Sequence, residues 1–318
     1  MPEVLVAGVD GGASKTRAAI VTAHGAVLGS ATVQSASAYH REPDEAAGIV
    51  VAAVRQALAA AGRTGPLAAL GAGLAGADDP AIHARLVAAL TQAGLAAVVH
   101  VDHDGAAALV GGLALAPGIV IIAGTGSVAF GVDEAGRRAR AGGWGPLLDD
   151  EGSGYAIGRA TLRAAMRAHD GRGPATSLAG AVSRHFGIES LALLKRAVRG
   201  ISIDQVAAVA PLAFDAARAG DAEARRILDA AARGLASMVA AVDRALGWTD
   251  VPFALVTTGG IFEAGDLILA PMGRELSALG CRAEHRPARY PPEIGAALLA
   301  ARAAGMSVDA LRQGLDRQ

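Results

Sequence analysis

The chain has 318 residues, of which 52% are hydrophobic and 19% charged, and Lys+Arg 29 against Asp+Glu 30 leaves a net charge of -1. Single cores seldom grow past ~250 to 300 residues, so two domains are expected, and a chain this apolar excludes disorder. No basic excess exists to neutralise a phosphate backbone, which disfavours a nucleic-acid partner.

Residues 4–9 form a compact apolar run that ends at Asp10-Gly11-Gly12. Residues 17–22 and 27–33 read as two further strands around a turn at His24-Gly25, predicting a three-strand meander. Helical spacing over 44–61, with Pro43 before it and Gly62 after it, predicts a helix. A strand at 67–74, a helix at 80–93 and a strand at 96–101 follow, and such alternation specifies an α/β layer structure.

From Gly105 to Val132 no residue is charged, a length that could cross ~30 Å of hydrocarbon as a helix. Pro117-Gly118 divides it, and the short β-branched run 119–123 before Gly124-Thr125-Gly126-Ser127 suits a buried strand entering a turn, so no membrane role is expected. A strand at 128–132 and a turn at 134–136 then repeat the opening pattern, predicting an internally duplicated fold. Residues 145–247 read as mostly helical, 253–256 as a last strand, and helices close the chain from Pro292. The expected domains are 1–116, with a C-terminal helix at about 305–318 able to join it, and 117–304 with a helical insertion.

Cys281 is the sole cysteine, which excludes a disulfide, an iron–sulfur cluster or a Cys-rich zinc site within one chain. Glu3 and Asp10 in the first apolar stretch, with no basic lead, are unlike a signal peptide, so a cytoplasmic setting is expected. The apolar composition admits a homodimer.

Asp10-Gly11-Gly12-Ala13-Ser14-Lys15-Thr16 follows a buried strand. Glycines let the backbone approach an anion, Ser14, Lys15 and Thr16 add donors, and Asp10 can hold a divalent ion or its waters, so phosphate binding is the expectation beside an ordinary hairpin turn. It is not a Walker A loop, because Ser14 precedes the lysine where glycine is required and a strand follows. Gly71-Ala72-Gly73-Leu74-Ala75-Gly76 matches a dinucleotide fingerprint, with Asp102 placed for a ribose hydroxyl, but Asp78-Asp79-Pro80 puts negative charge where a pyrophosphate would sit. Asp102 and Asp104, at the end of a buried strand, could each take a proton from an attacking hydroxyl or only cap the next helix. Gly124-Thr125-Gly126-Ser127 and Thr258-Gly259-Gly260 are further strand-to-glycine junctions, and the three together suggest a nucleotide held between two lobes. The passage 142–155 sets Trp144 among glycines beside Asp149, Asp150 and Glu151, a combination suited to a sugar's apolar faces and hydroxyls, or to a core tryptophan beside a tight turn.

DGGASKT, the Asp104 segment, IIAGTGSVAFG, GGWGPLLDDEGSGYAIGR, TTGGIF and PPEIGAALLA, in this order and end to end, resemble the N-acetylglucosamine kinase group of the BadF/BadG/BcrA/BcrD ATPase family. The resemblance implies two actin-like, ribonuclease H-like domains, with ATP and an amino sugar in the cleft between them and the sugar's 6-hydroxyl as acceptor. It implies Ser14 and Thr125 as phosphate contacts within loops that include Gly11, Gly12, Lys15, Thr16, Gly124 and Gly126, and Gly259 and Gly260 in the adenosine loop. It further implies Mg²⁺ near Asp10 through water, Asp104 as the base with Asp102 in reserve, and sugar contacts from Ser127, Gly143, Trp144, Gly145 and Asp150, with Glu151 adjacent. The chain departs from the family where an asparagine commonly contacts the sugar, carrying Ser37-Ala38-Tyr39 there, and Asp149 stands where glycine is usual. Both departures bear on which amino sugar is taken, N-acetylglucosamine, glucosamine or a muramic-type sugar, and neither touches the phosphate machinery. The family's dehydratase activators need cluster cysteines, and a sugar-sensing regulator or an ATPase of the same fold is the alternative function.

Overall fold

The computed structural model describes residues 3–39 and 41–317. The chain opens with β1 (Leu5–Gly11), β2 (Lys15–Thr22) and β3 (Val27–Gln34), an antiparallel meander, followed by α1 (Pro43–Ala60), β4 (Leu67–Leu74), α2 (Pro80–Gln92), β5 (Ala96–Asp102) and α3 (Asp104–Leu113). β4 and β5 add in parallel, giving the sheet order β3-β2-β1-β4-β5. A second pass gives β6 (Gly118–Ala123), β7 (Ser127–Val132) and β8 (Arg138–Gly142). The helices α4 (Gly154–His169), α5 (Leu178–His185), α6 (Leu194–Ala197), α7 (Ile203–Ala207), α8 (Ala210–Arg218) and α9 (Ala222–Leu246) follow, then β9 (Phe253–Thr258), α10 (Asp266–Ala278) and β10 (Ala283–Arg286). Its sheet order, β8-β7-β6-β9-β10, repeats the first with every strand in the equivalent place, so the duplication read from sequence is one of topology. The chain ends in α11 (Pro292–Ala303) and α12 (Val308–Leu315).

Two compact units result, one taking the chain up to Val120 together with the segment from Arg286 onward, the other residues 121–285. The C-terminal segment that joins the first unit therefore begins at Arg286 rather than at about 305. The reason is α11, which packs on β1, β4 and α3.

Side-chain alternation covers both faces of the first sheet. Leu5, Ala7 and Val9 of β1 and Ile20 of β2 share a core with Val50 and Val54 of α1 and Leu86 and Leu90 of α2. Val6, Ala19 and Val21 face the opposite way, into a core with Ile294 and Leu298 of α11 and Leu311 of α12. Two glycines set how closely α11 lies on the sheet. Gly8 and Gly71 are register partners on β1 and β4, and a Cβ on them would fall 1.9 Å from the Glu293 carbonyl oxygen and 2.0 Å from that of Ala296. Gly71→Val is accordingly expected to destabilise the protein by ~3 kcal/mol or more, because neither backbone can give way. Thermal unfolding followed by circular dichroism checks it, and an unchanged midpoint would contradict the packing.

Sequence pattern misses β8, β10 and α10. Ala-Arg alternation in β8 lacks β-branched residues, and its strand state comes from pairing with β7, Val128 opposite Gly142 through Val132 opposite Arg138. β10 is a short, largely exposed edge strand with charged side chains, and α10 carries Pro271 in its interior. The dinucleotide alternative also falls away. Gly71 and Gly73 lie beneath Ala296 of α11 and Ala107 of α3, and Gly76, at φ 87°, abuts the backbone of Tyr39, so these glycines serve close packing. Among the described residues no helix is long and apolar enough to cross a membrane.

Candidate functional site

In the first unit, the parallel strands β1, β4 and β5 end in one row, Asp10 beside Gly73 and Gly73 beside Asp102. Ligands of open α/β sheets gather outside such carboxyl ends. Alternation puts Asp10 on the same face as Gly8, the face covered by α11 and α3. Asp104 opens α3, and its Oδ1 accepts the Gly105 N–H at 2.9 Å. Burial, then the charges of Asp104 and Glu293, push the Asp10 carboxyl up to about 7, against the opposing pull of Arg17 and Lys15. Burial also raises Asp104, opposed by His103 and by the amide of Gly105. Asp102 ends β5, two strands from Asp10, where it accepts the His103 N–H at 2.9 Å and lies 3.9 Å from Nε2 of His100.

Glu293 had no role in the sequence reading. It begins α11, whose next eight residues, Ile294 to Ala301, are all buried, and its Oε2 is buried with no hydrogen-bond partner among the described residues. One acid directly before an unbroken apolar run of eight helical residues is the signal that could have found it.

The loop after β1 is held from behind. Gly12 N–H donates to the Lys15 carbonyl at 3.1 Å, Ser35 Oγ donates to the Gly12 carbonyl at 2.8 Å, and the fully buried Thr16 accepts the Ala36 N–H at 2.7 Å. Ser14 and Lys15 remain exposed at its tip, and Gly11 is buried against Leu74. Ser37 and Ala38, where the family asparagine would stand, are buried, whereas Tyr39 is 56% exposed.

In the second unit, three glycine segments meet. The first two N–H groups of α4 fix the loop after β6, Gly154 donating to the Gly124 carbonyl at 2.7 Å and Tyr155 to the Thr125 carbonyl at 3.2 Å. Each peptide is planar and trans, so the N–H groups of Thr125 and Gly126 point away from α4, as an anion-binding loop requires. Gly259, at φ 105°, lies against the end of β6, where a Cβ would fall 2.3 Å from the Ala123 carbonyl, and Gly260 has open space around it. The segment 142–153 turns through positive φ at Gly142, Gly143, Gly145, Asp150 and Gly152, which explains its glycine spacing and strains Asp150.

The expected sugar contacts on this segment and at the start of β7 fall into two sets. Ser127 and Asp150 are buried, the Ser127 hydroxyl donating to the Glu151 carbonyl at 2.8 Å and its N–H reaching Asp150 Oδ1 at 3.4 Å. The Glu151 side chain is exposed but rests on Gly234 of α9. Trp144, 61% exposed, is not a core residue, and the Arg140 guanidinium lies 5.1 Å over its ring while donating to the Gly143 carbonyl.

The sequence profile of the BadF/BadG/BcrA/BcrD ATPase family matches residues 7–300. A relative from Clostridium acetobutylicum, named N-acetylmuramic acid/N-acetylglucosamine kinase, is 33% identical over 264 residues, 81% of this chain and 85% of its own. An N-acetyl-D-glucosamine kinase of Dictyostelium discoideum is 36% identical over 187 residues, 58% of this chain and 59% of its own. A crystal structure from Chromobacterium violaceum, provisionally assigned as an N-acetylglucosamine kinase, superposes with a TM-score of 0.77 at 27% identity, covering 93% of this chain and 99% of that one. The duplicated sheets, the glycine loops at their strand ends and a profile match that runs nearly end to end place this chain in the BadF/BadG/BcrA/BcrD ATPase family, with two actin-like α/β domains.

Proposed function

We propose that the protein is an ATP-dependent amino-sugar kinase that phosphorylates the 6-hydroxyl of N-acetylglucosamine or a close relative, with Asp104 as general base. The observation that carries this reading is the meeting of Asp104, Asp10 and Glu293 at the carboxyl ends of parallel strands, next to a glycine loop. The names of the relatives support it independently.

Burial makes Asp104 a stronger proton acceptor than an ordinary carboxylate, which suits it to a sugar hydroxyl. Ser14 and Lys15 at the tip of the loop after β1 are donors suited to phosphate oxygens that gain charge during transfer, and so, taken by themselves, are the N–H groups of Thr125 and Gly126. Trp144 offers an exposed apolar face to a sugar ring. Asp150 and Ser127 brace the Trp144 segment against the nucleotide loop, so their contribution to sugar binding is positional as well as direct.

Among the described residues no three acid, histidine or cysteine side chains stand close enough to hold a metal ion directly, so Mg²⁺ would be held through water, for which Asp10 is the hard oxygen donor. The charges of Asp104 and Glu293 act on Asp10, and the buried Glu293 Oε2 is without a hydrogen-bond partner among the described residues. When bound, the ion offsets charge on the transferring phosphoryl group.

The test is ADP release with Mg-ATP across N-acetylglucosamine, glucosamine, N-acetylmannosamine, N-acetylmuramic acid and glucose, beside a sugar-free control. Turnover that depends on an amino sugar is the expected result. Sugar-independent hydrolysis, or none, would overturn the kinase reading in favour of an ATPase or a sensor.

A further inference from the structure

A threonine hydroxyl has a single proton to give. In this structure Thr125 Oγ1 gives it to Oδ1 of Asp204, at 3.0 Å. Asp204 is an exposed residue of α7 and far from Thr125 in sequence, yet its position is tightly fixed. A reciprocal pair of bonds between Ser202 and Gln205 caps α7, the Ser202 N–H donating to Gln205 Oε1 at 2.9 Å and the Gln205 N–H to Ser202 Oγ at 3.2 Å. α7 in turn lies hard against α4. A Cβ on Gly158 would fall 2.0 Å from the Val206 carbonyl, and one on Gly154 would fall 3.3 Å from Cβ of Ala207. The same end of α4 holds the carbonyls of Gly124 and Thr125. Helix and loop therefore form one rigid piece, with a carboxylate mounted one hydrogen bond from the threonine of the nucleotide loop.

We propose that Asp204 sets the nucleotide affinity of this loop by competing with the polyphosphate, both for the Thr125 proton and as a negative charge beside it. The inference rests on the reading of Thr125 as a phosphate contact. For Thr125 to donate to a phosphate oxygen, its hydroxyl must turn away from Asp204, and the carboxylate is left facing another anion. Binding is thereby weakened, most of all for product ADP without a metal ion, which must leave after each turnover. The carboxylate is exposed, so water and salt screen it and the effect is moderate.

Isothermal titration of ADP in metal-free buffer, using the full chain, tests the proposal. Asp204→Asn keeps the shape and an acceptor but removes the charge, and should lower the Kd about fivefold to tenfold, as expected for a unit charge a few ångström from the ligand that water screens at a dielectric close to its own. The gain should shrink at ~0.5 M salt, where screening acts within ~4 Å, a response that a purely structural change would not give. Asp204→Ala should also tighten ADP binding, and circular dichroism melts of each variant verify that α7 is retained. Thr125→Val should weaken binding severalfold and diminish the benefit of Asp204→Asn when the two are combined. Looser or unchanged ADP binding in both Asp204 variants, with Thr125→Val still weakening it, overturns the competition while leaving Thr125 as a nucleotide contact. An unchanged Kd in Thr125→Val overturns that contact and the inference together.

Discussion

Asp104→Asn is expected to lower kcat/KM for the amino sugar by roughly 10²- to 10⁴-fold, the usual contribution of a positioned general base. The amide has nearly the same shape, so α3 still starts in the same place and the Gly105 N–H still finds an oxygen. ATP binding measured by calorimetry should change little, since the loops of residues 10–16 and 124–127 keep their own bracing. Asp102→Asn is the control. Its carboxylate is occupied by the His103 N–H and lies near His100, so it should retain activity within about tenfold, the range left to indirect effects. Near-normal turnover in Asp104→Asn, or an equal loss in Asp102→Asn, would remove Asp104 from the role of base.

A second large effect should appear in stability. The Asp10 carboxyl moves from 3.8 to about 7 on folding, so the folded chain binds more protons than the unfolded chain between those values. Stability must therefore fall as pH rises from about 4 to about 7 and stay reduced above that, by up to about 4 kcal/mol from this group alone. Asp10→Asn cannot ionise. Metal-free Asp10→Asn is expected to melt several degrees above the native protein at pH 8, with the difference vanishing near pH 4. Added Mg²⁺ should raise the native midpoint and leave that of Asp10→Asn nearly unchanged, because a ligand stabilises only the state that binds it. The substitution should also remove kinase activity, a gain in stability at the expense of function. A native protein that melts no lower than Asp10→Asn at pH 8 would contradict the cost of a charged carboxylate buried beside Asp104 and Glu293, and identical Mg²⁺ responses would remove Asp10 from the ion's site.

Much of the fold was legible because its signals lie in neighbouring residues. The apolar runs ending in Asp10-Gly11-Gly12 and in Gly124-Thr125-Gly126 announced two strand-to-loop junctions, and Pro43, Pro80 and Pro292 sit at the starts of helices. Where intrinsic preference was weak, pairing decided. β8 is a strand because β7 lies beside it, and α11 belongs to the first unit because Gly8 and Gly71 leave it room on that sheet.

The candidate site divides in the same way. Asp10, Asp104, Ser14, Thr125 and Trp144 could be singled out because each stands in a short motif whose residue types suit a phosphate, a proton or a sugar. Thr16 and Ser127 stand in the same motifs but are turned inward, toward the Ala36 N–H and the Glu151 carbonyl, an orientation that depends on segments folded against them. Glu293 has a local signal at the head of α11, but its place beside Asp10 does not, and neither does Asp204 on the Thr125 hydroxyl. By itself the sequence determined where strands yield to glycine loops and which chemical groups those loops carry, since periodicity and backbone freedom act over a few consecutive residues. Only the tertiary structure decided which carboxylates share one electrostatic field and which hydroxyl is already bonded, since charge and hydrogen bonding act through space between residues that helix packing brings together.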